Sequence, residues 1–491
     1  MGYNNSMKNT KWNLKKIFKS QRDWDKKLTQ FRSLVESFGG KTSEVDSIDS
    51  VKKVLRLEKK LDTMNNELSL YIALKTTINP NSETLKFKDL EHGTICNAYQ
   101  RYCFDFEHSI LALPKKKQKQ FLNSPELSFY KPRLEQIILP KSNSTRKEEK
   151  LLSHIEPIKD EIPNIYSTVL NKNVSYRAIR VEDNVLKVAP KNLKKLETSK
   201  SKTVRRNTYL SRVKGEAQTQ VTHAQTLSHH FQFSKVFSET KKYPSAFDYL
   251  LKDEKLKEKT AHEIFEVVLN NKPLIEDFIK YRKKALNIRN YCSYDDKAES
   301  FDYKISANKA YNEILKAFEN FSQEEVNTVK RLKKNRHLYI TDNSEAAKSF
   351  YGFCMRIGNT DPYVFSYFQN DLDSAMTLAH ELGHAIHETK LNKHNDFWNK
   401  DTSLIIHETA SYTHELVFLL DLLKRTPSKK TRKKILAKLV KYYYDVLYKK
   451  ALCSKYELIL SKQAAKNRSF DPRTLSKKYE DLEDEFFGGI R

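Results

Sequence analysis

Glycine and cysteine are both scarce, with 10 and 5 residues in a chain of 491. So little glycine excludes a collagen-like or glycine-rich low-complexity chain. The cysteines stand at 96, 103, 292, 354 and 453, an odd number with no CxxC pair. That excludes a disulfide framework or a cysteine-based metal knot and suits a reducing compartment. Long apolar runs are missing too. The longest apolar patch, Leu416 to Leu423, is interrupted by Asp421 and is too short to cross a bilayer, so no membrane partner is expected. The N-terminal stretch MGYNNSMKNTKWNLKK lacks the apolar segment of a secretory signal, and the cytoplasm is the expected compartment. Gly2 and Ser6 fit a myristoylation pattern so short that coincidence explains it.

What the chain does have is length, aromatic residues and positive charge. At 57.7 kDa and 11% aromatic it can bury a large core, in roughly two to four domain-sized units. Lys and Arg number 89 against 62 Asp and Glu, a formal charge of +27. Lysine-rich runs at 115–119, 191–206 and 424–441 alternate with apolar residues at helical spacing, as the solvated faces of long helices do. No nucleic-acid partner is expected, and a basic nucleic-acid-binding helical protein is the least favoured reading.

Apolar residues recur with the helical period, as in Leu28, Phe31, Leu34 and Val35, and again in Ile264, Phe265, Val268 and Leu269. Prolines at 114, 125, 132 and 140 predict short helices separated by turns. One stretch alternates instead. Val174 to Arg180 and Val185 to Val188 flank the turn cluster Glu182-Asp183-Asn184 and predict a small hairpin. The helical pattern resumes after Pro190, which places a boundary there: an N-terminal helical lobe over 1–190, with the hairpin near its end, and a second lobe over 191–491. Tyr363 to Phe368 is a further extended candidate.

The segment Leu378-Ala379-His380-Glu381-Leu382-Gly383-His384-Ala385-Ile386-His387 carries HExxH in a helical context that Asp371 or Asp373 could cap; Asp401 is a cap candidate further on. Residues four apart share a helix face, so His380 and His384 can reach one ion while Glu381 leans beside it as a proton acceptor. Chance gives HExxH in a chain of this composition roughly three times in a hundred, so the third ligand matters. A metzincin pattern fails, because His387 and Lys390 stand where its glycine and third ligand belong. Downstream, His407-Glu408-Thr409-Ala410-Ser411-Tyr412-Thr413-His414-Glu415 offers Glu408 on a second helix returning antiparallel to the first. Ser411 and Glu415 would share its face. His387 is a candidate for substrate contact, Glu415 and Glu388 are candidates to orient a ligand imidazole, and neither His407 nor His414 is assigned to metal.

HELGHAIH followed by ETASYTHE resembles the M3 family of zinc oligopeptidases, most of all its oligopeptidase F branch. Lys11-Trp12-Asn13-Leu14 with Trp24, and YVFSYFQNDLDSAMTL from Tyr363 to Leu378, are similar to that branch as well. The resemblance implies a mainly α, two-lobed body with thermolysin-like active-site helices and small β elements around a deep cleft. It implies one Zn2+ per chain on His380, His384 and Glu408, Glu381 as catalytic base, and the 191–491 lobe as the catalytic one. The expected activity is hydrolysis of internal bonds in short unstructured peptides. A substrate backbone is expected to pair with the Tyr363–Phe368 segment, giving Tyr363, Phe365 and Tyr367 as contacts.

Two departures from that family qualify the expectation. Ala347-Lys348-Ser349-Phe350-Tyr351-Gly352-Phe353 keeps only a trace of the family's Gly-rich segment, and the 491 residues lack the Tyr-rich, His-containing segment that follows in the family. Loss of such an oxyanion donor costs about 100- to 1000-fold in turnover, so a zinc-binding but catalytically impaired remnant, or a peptide-binding protein, is the alternative. Tyr442, Tyr443 and Tyr444 read as core packing rather than as substitutes.

Overall fold

The computed structural model describes residues 11–488 except 44, 140–143, 171–173, 299–302, 344–345, 347–350, 357, 359, 396, 399–401 and 469, with backbone only at 146, 190 and 191. Gly2, Ser6, Asp401 and the 347–350 part of the glycine-poor segment lie outside the described residues. The protein is mainly helical with two small sheets, as the sequence predicts. No helix among the described residues is long and apolar enough to cross a membrane. Contacts group the chain into two units, Met1–His154 with Lys304–Asp421 and Ile155–Tyr303 with Leu422–Arg491.

The first unit begins with three helices, α1 (Gln21–Gly39), α2 (Ile48–Ile78) and α3 (Glu83–Leu111). Each starts at a serine, Ser20, Ser47 or Ser82, whose hydroxyl accepts a backbone N–H of the first turn. Trp24, Leu28, Phe31, Val35 and Phe38 line one face of α1 and are buried, with Leu55 and Leu61 of α2 and Phe106 of α3 in the same core. Pro125 and Pro132 start the short helical segments that follow, where ring geometry suits a first turn.

The sheet of this unit has three strands, β1 (Leu338–Thr341), β2 (Gly352–Met355) and β3 (Tyr363–Tyr367), in the order β1-β3-β2. β3 runs parallel to β1, with Leu338 opposite Val364, and antiparallel to β2, with Gly352 opposite Ser366. Trp12 packs its ring against Tyr339, Phe353, Tyr363 and Phe365 and donates its indole N–H to the carbonyls of His337 and Val364 at 3.0 and 3.1 Å. Besides the helix Ala307–Phe318, the unit contains α4 (Gln323–Lys334), α5 (Leu372–His394) and α6 (Leu404–Arg425), whose last residues count with the second unit.

The second unit contains the hairpin, Ala178–Val181 paired antiparallel with Asn184–Lys187. Glu182 takes the left-handed conformation, φ 54°, that a tight hairpin turn demands. Residue 190 falls inside this unit, because the hairpin packs forward: Ser211, on the helix Lys202–Glu216, donates to the Arg177 carbonyl at 2.8 Å. Phe265 and Val268 are buried as their spacing predicts, whereas Ile264 faces outward. Tyr442 and Tyr444 are buried and Tyr443 is half exposed; Tyr444 packs on Phe278 at 4.9 Å.

Candidate active site

Helix α5 starts where Asp371 accepts the Ser374 backbone N–H at 2.9 Å and its hydroxyl at 2.6 Å. Its apolar residues, among them Ala375, Leu378, Leu382 and Ile386, are buried and fix the helix in the unit. His380 and His384 lie on one face, their rings 4.8 Å apart and nearly perpendicular. Glu408 of α6 meets them. Its Oε2 stands 3.5 Å from His380 Nε2 and its Oε1 3.8 Å from His384 Nε2. Donor atoms of the three residues lie within 4.8 Å of one another, the one such group among the described residues that could hold a metal ion.

Gly383 makes this approach possible. A Cβ there would stand 2.9 Å from Ser411 Cα and 3.0 Å from His414 Cβ, so only glycine lets α5 and α6 lie this close. Ser411 then donates to the Glu408 carbonyl and side chain at 3.0 and 3.3 Å. Glu415 stands 3.2 Å from His380 Nδ1. An ionised carboxylate only accepts, so this bond places hydrogen on Nδ1 and leaves the Nε2 lone pair facing Glu408. Burial works to lower the His380 pKa, but the Glu415 bond and the carboxylates of Glu381, Glu415 and Glu408 overcome it and the net direction is upward. For His384, burial and then the neighbouring His380 lower the pKa to about 4. Two imidazole nitrogens and a carboxylate, one imidazole oriented through its far nitrogen, are a donor set that fits zinc.

Glu381 follows His380 directly in α5. It is buried, and burial, with smaller contributions from Glu408 and Glu415 working against the His380 charge, raises its pKa to about 7. Strand β2 lies against it. A Cβ on Gly352 would stand 2.8 Å from Glu381 Cγ and Oε1 and from Thr377 Cγ2.

The remaining expected residues fall into two groups. Tyr363 and Phe365 are buried around Trp12, and Tyr367 is half-buried beside Tyr351. Their strand is the middle one, with both edges paired, so a peptide cannot add to it as expected; β2 is the edge strand that faces Glu381. His387 packs on His407 at 4.8 Å and stands 3.4 Å from the Thr402 hydroxyl. Of the two carboxylates expected to orient a ligand imidazole, Glu415 reaches His380, whereas Glu388 bonds Arg356 Nε and stands 3.5 Å from His407 Nδ1. Glu388 is drawn off because Arg356, at the end of β2, offers a full charge two turns along α5. In the sequence Gly352 reads only as the trace of a Gly-rich segment, an isolated glycine inside a helical pattern is a usable signal for Gly383, and Arg356 carries no signal.

A HExxH helix paired with a glutamate-bearing helix on a mainly helical body is the arrangement of a candidate peptidase site. The comparisons with known proteins say which: the description "Peptidase family M3" matches residues 195–490, and the chain belongs to that family, which is generally zinc-dependent. Oligopeptidase PepF of Bacillus subtilis is 23% identical over 484 residues, covering 97% of this chain and 72% of the relative. An oligoendopeptidase F homolog of Lactococcus lactis is 22% identical over 489 residues, covering 97% and 80%. The crystal structure of oligoendopeptidase-F from Enterococcus faecium shares the fold with a TM-score of 0.73, at 17% identity over 96% of this chain and 80% of that one.

Proposed function

We propose that this chain is a zinc metallopeptidase that hydrolyses internal bonds of short, unstructured peptides. The observation that carries the reading is the convergence of His380, His384 and Glu408, with the first imidazole oriented by Glu415. These three residues would hold one zinc ion, which when bound supplies Lewis acidity to polarise a peptide carbonyl and acidify water. Glu381 takes the proton of the attacking water and later passes it to the leaving amine, a role its position beside His380 and beneath β2 supports. A peptide backbone laid along the edge of β2 would run past Glu381, with affinity from main-chain bonds and little side-chain preference. The oligopeptidase names of the relatives point to the same substrate class. All five cysteines are free thiols, which suits a cytoplasmic location.

The test is metal content measured beside cleavage of an internally quenched peptide. The expected result is one zinc per chain and cleavage abolished by a chelator and by Glu381→Gln, with zinc retained in the variant. Absence of zinc from the purified chain, or cleavage that survives both treatments, contradicts the reading.

A further inference from the structure

The ionic group around His414 has no part in that chemistry and is built within the first unit. Glu325 of α4 is buried and divides its oxygens: Oε1 bonds Lys390 Nζ of α5, and Oε2 stands 3.1 Å from His414 Nε2 of α6. The other ring nitrogen, Nδ1, donates to the Ala410 carbonyl at 2.7 Å. Both ring nitrogens thus face oxygen atoms, one on α4 and one on α6 itself. Phe318 and Phe321 pack on that ring at 4.8 and 4.5 Å. Burial works to raise the Glu325 pKa, but the bonds from His414 and Lys390 outweigh it and the net direction is downward.

Buried ion groups return little net stability once desolvation is counted, and their best-attested contribution is to fix register. The register here belongs to α6. His414 Cβ and Cγ are among the atoms a Cβ on Gly383 would meet, at 3.0 and 3.2 Å, so His414 sits at the closest approach of α5 and α6. Its chain neighbour Glu415 bonds His380, and Ser411, one turn back, bonds Glu408. Sliding or rotating α6 about this point displaces both carboxylates from the two imidazoles. An apolar residue at 414 could fill the volume but would not tie α6 to α4 and α5 together.

We infer that Glu325 is a positioning residue for the metal site: by joining Lys390 to His414 it sets the register of α6, and with it the placement of Glu408 and Glu415 against His380 and His384. The inference rests on the zinc reading above.

The test is zinc affinity of the full chain, by competition with a chromophoric chelator well below the unfolding temperature, read beside the thermal midpoint. Glu325→Gln keeps the shape and removes the charge; it is expected to weaken zinc about 10- to 100-fold, the range seen for partners that orient ligands. Lys390→Met, at the exposed end of the group, is expected to weaken it by less, and it decides the matter if Glu325→Gln does not fold. Parent affinity retained in both variants while the thermal midpoint falls would make Glu325 a purely structural residue and overturn the inference. A parent chain that binds no zinc fails earlier, and then the metal reading falls and this inference with it.

Discussion

The two sides of α5 are each approached through a single glycine, and the approaches differ in what would have to give way. On the His380–His384 side, a side chain at Gly383 meets the backbone of α6 at Ser411 Cα. On the Glu381 side, a side chain at Gly352 meets Glu381 and Thr377 side-chain atoms, which can swing aside. On the proposed function the first contact would position a donor set and the second a proton carrier. Metal binding and proton transfer would then rest on separate packing contacts of one helix, and substitutions should separate them.

The largest effect should come from Glu381→Gln. Turnover is expected to fall about 100- to 10,000-fold, the usual contribution of a general base, with zinc content unchanged; peptide cleavage and metal analysis on the same sample check it. Gly352→Ala is a subtler cut on that side: the new methyl displaces the Glu381 carboxylate, and a displacement of that order costs about 100-fold in turnover. Zinc affinity should remain at the parent value. On the other side Glu415→Leu is expected to weaken zinc about 10- to 100-fold, measured by chelator competition, because His380 loses the acceptor that orients it.

The smaller effects probe packing. Gly383→Ala forces α5 and α6 apart and should cost about 1–3 kcal/mol, read as a lower denaturation midpoint, with zinc affinity falling alongside. Asp371→Ala removes only the cap of α5 and should cost about 1 kcal/mol in the same measurement, leaving zinc affinity alone.

Much of this was legible in the sequence, because local rules govern it. The period of 3.6 gives α5 and α6, the four-residue spacing gives the shared face of His380 and His384, and Asp371 announces the start of their helix. The turn residues of the hairpin are equally local. What the sequence does not carry is which surface meets which. Tyr363 to Tyr367 reads as a strand in any register, but only the tertiary fold puts it in the middle of a sheet with Gly352–Met355 at the edge. Glu388 reads as well placed to serve a ligand until Arg356 is brought against it from another element. Glu325 reaches His414 across 89 residues of chain, a pairing that no periodicity encodes. The same holds for the contact units, where Lys304–Asp421 joins the N-terminal helices rather than its chain neighbours.

The most direct test of the separation is the zinc affinity of Gly352→Ala set beside its turnover. The account predicts parent affinity for one zinc ion with cleavage reduced about 100-fold. Zinc affinity and cleavage falling together in that variant would contradict it, since the two faces of α5 would then form one indivisible site.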